Sequence, residues 1–445
     1  MRDTEVEKLI KKEEARQKRV VNLIASENIV SDDVREALGS VFVNKYAEGY
    51  PGKRYYGGNE VSDEIERLAQ SRALALFGLS PDEWSVNVQP LSGSPANMAV
   101  YLALVPRGGP PSRKASEGQG KIMGMELAHG GHLTHGHKVS ASGMFWTQVP
   151  YGVSRDTEQL DYDEIAKIAK KEKPALIVCG FTAYPRVIDF KKFRKIADSI
   201  GAYLMVDMSH FAGLVAGGVH PSPFYEQKIA AQHSHILKNV GMLADVVTTT
   251  THKSLRGPRS AMVFARKSEI RNPKSETNSK FKIQNSKFTI AAAIDKAVFP
   301  GLQGGPHLNQ IAAVAVALRE AAEPSFKKYA AQVVKNAQAL AEALAERGWR
   351  VVSGGTDTHL LLVDTWMGGA PSTSLSAGGI GGKEASERLE REGIIVNKNT
   401  IPFDTRSPMD PSGIRLGTPA ETTRGAKEKD MREIAERIDK ALRKK

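Results

Sequence analysis

Short apolar runs rich in branched residues alternate with helix-like stretches through the middle of the chain, and that alternation limits the folds open to it. The runs occupy 175–179, 203–206, 245–249 and 261–265, and amphipathic stretches at 162–171 and 190–200 accompany them. A strand that is apolar on both faces needs a helix layer on each side, so the pattern predicts a mainly parallel sheet within an α/β domain. In such sheets ligands sit beyond the carboxyl ends of the strands, which directs attention to the residues just after each run.

At 445 residues the chain exceeds the usual size of one compact core. A charged helix is expected over 5–20, and an amphipathic one over 64–77 with Ile65, Leu68, Ala69 and Leu76 inward. A second region begins near Gln310, where Ala330, Val333, Val334, Ala337, Leu340, Ala341 and Leu344 recur at helical spacing and Gly348 closes the helix. A strand at 359–363, a helix at 383–392, a strand at 393–396 and a closing helix from Ala426 follow, with a Gly/Ser/Pro loop at 365–382. The expected layout is an N-terminal arm over 1–45, a large domain carrying the candidate ligand residues over 46–309, and a smaller C-terminal α/β domain over 310–445.

A formal net charge of +12 favours anionic partners, whether nucleic acid, acidic lipid or a phosphorylated or polycarboxylate ligand. Much of the excess is local. The stretch 266–287 is basic, polar and nearly free of apolar periodicity, and it reads as an exposed insertion rather than a nucleic-acid arm. No apolar run approaches the roughly 20 residues that a membrane-spanning helix needs. The opening residues carry both signs of charge and lack the apolar stretch of a secretory signal. One cysteine, Cys179, excludes an internal disulfide and fits a reducing compartment, so the cytoplasm is expected.

The most specific chemistry lies in VVTTTTHKSLRGPRSAMVF, 246–264, where a strand runs through threonines into His252 and Lys253. A lysine fixed at a strand end in a polar but water-poor site loses its proton readily and can attack an aldehyde as a neutral amine. The threonines and the neighbouring Arg256 and Arg259 suit an anionic ligand. In YLMVDMSHFAGL, 203–214, Asp207 ends an apolar strand and His210 follows three residues later. A carboxylate there can keep a pyridine nitrogen protonated, although an isolated strand-end Asp is more often a helix cap.

Other strings are weaker alone. LSGSPAN, 91–97, offers small residues and free N–H groups at a helix start, a cradle for a phosphate. ELAHGGHLTHGHKVS, 126–140, holds His129, His132, His135 and His137; their glycine-rich spacing gives no helical i, i+4 ligand pair and no cysteine can contribute, so no metal is expected and an aromatic ring laid on a cofactor is the better reading. In KYAEGYPGKRYYGGNE, 45–60, Glu48 stands among Tyr46, Tyr55 and Tyr56 as a candidate proton-transfer group, or as plain interface packing. In SGIRLGTPAETTRG, 412–425, Arg415 offers a guanidinium fork for a carboxylate, with a structural ion pair as the alternative.

Taken together and in this order, these strings resemble the serine hydroxymethyltransferases, pyridoxal-phosphate enzymes of the aspartate-aminotransferase fold type. The likeness runs from LIASENIVS (23–31) to SGIRLGTPAETTRG and covers most of the chain. It implies exchange of serine and tetrahydrofolate for glycine and methylenetetrahydrofolate. It implies that Lys253 joins the cofactor, with Asp207 at the pyridine nitrogen, His132 stacked on the ring, and Thr182, His210 and His252 nearby. Ser92, Gly93 and Ser94 would take the phosphate, helped by Gly304 and Gly305 of FPGLQGGP from the neighbouring subunit. Ser26 and Arg415 would hold the amino-acid carboxylate, and Tyr56, His210 and Thr250 would join Lys253 and Glu48 in the catalytic set. Tyr46, Glu48, Tyr55 and Tyr56 would cross from the second subunit of a homodimer, with a tetramer left open. Leu127, Gly131, Leu133 and Asn399 match folate-contact positions.

The sequence departs from the family pattern at Pro95, Ser260, Ala261 and His307, and 106–119, 225–243 and 272–288 look inserted. A threonine-aldolase-like enzyme of the same fold type would cleave the same bond without folate, and Glu48 and the Asn399 motif weigh against it. A nucleic-acid-binding protein on an enzyme scaffold would have a broken lysine site, and this one is intact.

Overall fold

The computed structural model describes residues 2–106, 120–227, 239–270, 289–366 and 379–444. Most of the three inserted stretches, including His233, His235 and the bulk of the basic segment, therefore lies outside the described residues.

Among the described residues a seven-stranded sheet dominates. Its strands are β1 (Trp84–Asn87), β2 (Lys121–Met125), β3 (Thr147–Tyr151), β4 (Leu176–Gly180), β5 (Tyr203–Asp207), β6 (Val246–Thr250) and β7 (Ala261–Arg266), in the spatial order β1-β7-β6-β5-β4-β2-β3. From β6 to β3 every pairing is parallel, and β7 runs antiparallel to both of its neighbours. Every residue of β4, β5 and β6 is buried, the threonines of β6 and Asp207 of β5 included.

The crossover helices begin and end on local chemistry. Asp161 caps Tyr162–Glu172 by accepting from the Asp163 and Glu164 amides, and Asp189 caps Phe190–Ile200 through the Lys192 amide. Phe190, Phe193, Ile196 and Ala197 bury one face of the second helix, and Gly201 ends it in a left-handed turn.

A smaller antiparallel sheet is formed by β8 (Arg350–Val351), β9 (Leu360–Asp364), β10 (Asn397–Asn399) and β11 (Gly413–Gly417), in the order β8-β9-β11-β10. Helices Gly382–Arg391 and Glu428–Arg443 cover it, and with the later turns of Pro324–Glu346 they form a second apolar core. The helix Leu308–Ala321 packs instead into the larger core, so the chain passes between cores within Pro324–Glu346.

Two expectations need correction. The helix expected over 64–77 starts at Glu60, and its buried face is Ser62, Glu66, Ala69 and Ala73, while Leu68 is exposed. The face turns because Glu66 is drawn inward by the Arg54 guanidinium and the Gln89 amide. The strand expected at 393–396 shortens to Ile394–Ile395 and stays out of the small sheet. It pairs in parallel with Val21–Asn22, which ties the N-terminal arm to the C-terminal region.

Candidate active site

The carboxyl ends of β5 and β6 lie side by side, because Thr248 pairs in register with Asp207. The chain then turns through His252 and Lys253 above a cavity of about 350 Å³. Its lining includes Lys253, Asp207, His210, Thr250, His252 and His132, and also Ser92, Gly93 and Ser94 from the start of the helix Gly93–Leu104. Thr182 comes from the end of β4, Arg415 from β11, and Ser26 from the N-terminal arm. Residues scattered over almost 400 positions thus converge on one pocket. The arm is pressed close to β11, where a Cβ at Gly417 would lie 2.4 Å from the Ala25 Cα.

Lys253 is half-buried, and its remaining exposure is to the cavity it lines. Among the described residues its Nζ has no hydrogen-bond or ion-pair partner. Desolvation lowers its pKa from 10.5 to about 8, with Arg415 and Arg259 adding repulsion and Asp207 opposing the fall. Asp207 is also buried, which alone would raise its pKa. Hydrogen bonds from His135, the Ser209 amide and Asn97 more than offset that penalty and keep it well below the usual carboxylate range. His135 Nδ1 accepts from the His132 amide at 3.3 Å, so its proton sits on Nε2 and points at Asp207, 3.2 Å away.

His132 holds its own Nδ1 against the Thr134 amide at 3.1 Å, and burial pushes its pKa down to about 4. His210 is buried with Nδ1 3.1 Å from His359 Nε2, and desolvation, with help from Lys253, keeps it neutral. His252 is likewise pushed down to about 3 by desolvation, and its buried Nδ1 lacks a hydrogen-bond partner. Arg415 donates to Asn397 Oδ1 at 3.0 Å and to the Thr182 carbonyl at 2.8 Å, yet has no carboxylate partner among the described residues. Burial alone lowers its pKa to about 10.

The helix start at Ser92–Ser94 is shaped for close approach. The Ser92 side chain makes no capping bond, and a Cβ at Gly93 would stand 2.8 Å from the Thr250 methyl group. Of the threonines before Lys253, only Thr250 lines the cavity. Thr248 donates to Asn97, and Thr249 and Thr251 donate to backbone carbonyls. Arg259 lines the cavity, whereas Arg256 turns away and lies over Tyr329, 4.8 Å from the ring centroid.

The remaining sequence-chosen residues do not line this cavity. Tyr46 donates to Glu48 at 3.0 Å, and Tyr56 meets both Tyr46 and Tyr55 edge-on at centroid distances of 5.4 and 5.2 Å. Gly304 and Gly305 sit against this same group, where added Cβ atoms would approach Glu48 Oε1 to 3.3 Å and Tyr46 Cζ to 3.6 Å. Gly131 and Leu133 flank His132, and a Cβ at Gly131 would collide with the Met125 carbonyl at 2.0 Å. Leu127 opens the short helical turn before them. Asn399 shares a strand face with Asn397, the partner of Arg415.

Comparison with known proteins fits this geometry. A family profile described as serine hydroxymethyltransferase matches residues 1–438. The chain belongs to the serine hydroxymethyltransferase family. It is 51% identical over 441 residues to the serine hydroxymethyltransferase of Koribacter versatilis, covering 99% of this chain and 89% of the relative. The enzymes of that name from Acidobacterium capsulatum and Desulfotalea psychrophila are each 50% identical over 440 residues, covering 99% of this chain and 88% of theirs. As a serine hydroxymethyltransferase it is a pyridoxal-phosphate enzyme that interconverts serine plus tetrahydrofolate with glycine plus methylenetetrahydrofolate.

Several site residues carry little signal in the sequence, Glu27 and Phe181 of the cavity lining among them. Asn97 reads only as the end of a phosphate loop. It lies three residues after Ser94, on the same helix face, so its inward direction was available from helical spacing. Ser209 stands two residues after Asp207, so its amide bond to that carboxylate is local. His135 as the partner of Asp207 and His359 as the partner of His210 carry no comparable signal, because each pairs with a residue far along the chain.

Proposed function

We propose that Lys253, Asp207, His132 and Arg415 are the working centre of this transferase, each with one task. The observation that carries this reading is the unpaired Lys253 amine, lowered to about 8 and sharing one cavity with an ionised Asp207 and a carboxylate-free Arg415. The site fits a phosphorylated aldehyde ring. Its orphaned His252 Nδ1, its uncapped helix start and a guanidinium with no carboxylate partner among the described residues all call for a polar, anionic ligand.

When bound, pyridoxal phosphate supplies an electron sink for breaking the Cα–Cβ bond of serine. Lys253 would offer the neutral amine that holds the aldehyde. Asp207, held ionised by three donors, would keep a proton on the pyridine nitrogen. His132 would present a neutral ring to the cofactor, and His210, Thr182, Thr250 and His252 would complete its polar surroundings. The amides of Ser92, Gly93 and Ser94 bind the phosphate at the positive end of a 12-residue helix. Arg415 binds the substrate carboxylate through the guanidinium edge left free by Asn397 and Thr182, with Ser26 beside it.

The second half of the site comes from a second copy of the chain. Tyr46, Glu48, Tyr55, Tyr56, Gly304 and Gly305 form one surface outside the chain's own cavity, and the three tyrosines are exposed. In a homodimer that surface would cap the partner's cavity, where Glu48 moves protons and the glycines admit the phosphate. Leu127, Gly131, Leu133 and Asn399 would receive the pterin. We further propose a large domain over 46–309 and a smaller one over 310–445, with the helix Pro324–Glu346 contributing to both apolar cores, and that the enzyme works in the cytoplasm, as the buried free thiol of Cys179 suits.

The experiment is an absorption spectrum of the purified protein with pyridoxal phosphate, titrated with glycine and then tetrahydrofolate. A visible band that depends on Lys253 and changes further with folate is expected. Protein that takes up no cofactor would end this reading.

A further inference from the structure

The two halves of the chain's contribution, its own phosphate cradle and the surface offered to a partner, are joined by one side chain. Gln303 Oε1 accepts from the Leu91 amide at 3.0 Å, one residue before Ser92, and Gln303 Nε2 donates to the Gln89 carbonyl at 3.0 Å. Gln303 also directly precedes Gly304 and Gly305. Gln89 is buried, and its Nε2 donates to the Gly49 carbonyl at 3.0 Å and to Glu66 Oε1 at 2.9 Å. Glu66, fully buried, binds Arg54 at 2.5 Å. Arg54 closes the route by donating to the Ala47 and Gly49 carbonyls at 2.9 and 2.8 Å, the residues on either side of Glu48.

We propose that Gln303 is a positioning residue that locks the phosphate cradle of one active site to the loop that completes the other. This rests on the shared-site reading above and goes beyond it. Buried polar networks of this kind have discrete arrangements rather than a continuum, because each donor left unpaired is costly. Movement of the Leu91–Ser94 segment is thereby transmitted to the Glu48 loop, and the two sites of a dimer do not act independently.

The test uses mixed dimers. One protomer carries Lys253→Ala and the other Glu48→Gln; each homodimer is inactive, and the mixed dimer retains one complete site. Gln303→Leu is then placed in either protomer. In the protomer that supplies Lys253 to the complete site, it should weaken cofactor affinity, read by absorbance titration, about tenfold. In the protomer that supplies Glu48, it should lower folate-dependent turnover at saturating cofactor by about tenfold. Gln303→Glu, which keeps the acceptor for Leu91 but loses the donor to Gln89, should spare the first effect and reproduce the second. A loss confined to one arm for Gln303→Leu, or identical behaviour of the two variants, overturns the linkage. Failure of the mixed dimer to regain activity before Gln303 is changed would sink the shared-site reading, and the linkage with it.

Discussion

Replacing Lys253 with methionine in the cofactor-free protein should raise its stability, by an amount that depends on pH. Lys253 titrates near 8 when folded against 10.5 as a free side chain, so between those values the unfolded chain binds the extra proton. Stability therefore rises with pH across that window, and the burial penalty is fully present below pH 8. At about 1.4 kcal/mol per pH unit of difference, the penalty is about 3 kcal/mol at pH 7 and shrinks to about 1 kcal/mol at pH 9.5. Methionine has a similar length and no charge, so it removes the penalty without opening a cavity.

The assay is urea unfolding of the cofactor-free wild type and Lys253→Met at both pH values. Lysines and tyrosines elsewhere also titrate in alkali, but they are common to both proteins and cancel in the difference. The methionine variant should be the more stable at pH 7, and its advantage should fall by about 2 kcal/mol on going to pH 9.5. An advantage that does not change with pH would mean that Lys253 titrates as an ordinary surface amine. The case for a nucleophile poised near neutrality would go with it.

Arg415→Ala should weaken serine and glycine binding by about 100-fold while changing cofactor affinity little, since a lost charge-assisted pair costs roughly 2–3 kcal/mol; equal losses in isothermal titration would contradict its role. Glu48→Gln should keep glycine binding but lose folate-dependent turnover, and wild-type kcat in that variant would remove Glu48 from proton transfer. Arg54→Met should destabilise the fold by about 3 kcal/mol, because it strands the buried Glu66 carboxylate. An unchanged urea midpoint would show that Glu66 is satisfied elsewhere.

The sheet was legible where both faces are buried and obscure at its rims. The runs for β4, β5 and β7 are legible to within a residue or so, because four or five consecutive apolar positions leave little choice, whereas β6, VVTTT, is marked by two valines and the β-branched threonines after them. β1 and β3 are the outermost strands, and β3, TQVPY, buries only Val149 and Tyr151 and carries Pro150. An edge strand tolerates proline and solvent on one side, so its pattern dissolves into that of a loop. β2 lies next to that edge, and its KIMGM has a glycine where a branched residue would have marked a strand. Gly124 is needed there, since a Cβ would meet the His135 carbonyl at 2.6 Å, so packing beneath the active site removed the signal. The candidate site was legible for Lys253, Asp207 and the Ser92–Ser94 turn, whose chemistry stands at strand or helix ends. Networks such as Asn97–Asp207–His135 were not, because pairing across β5, β6 and the histidine loop has no period in sequence.

The exposed tyrosines sharpen the argument for a second subunit. Tyr46, Tyr55 and Tyr56 are 57, 80 and 47% exposed, a cost in unburied aromatic surface that a monomer has no reason to bear. The loop beneath them is far from slack: Arg54 is 4% exposed at its side chain and engages Asp63, Glu66 and two backbone carbonyls. Desolvating a guanidinium and a carboxylate to support a loop is costly unless the loop must be held in one shape. A rigid base under an exposed aromatic and acidic tip is the arrangement of a part made to fit into something else. The cavity around Lys253 is the site within this same chain that such a tip would complete, its own Glu27 standing beside Ser26 on the N-terminal arm. On the reading proposed above, fitting the tip of one copy to the cavity of another would bury the tyrosines and close the cavity with a single contact surface repeated by symmetry.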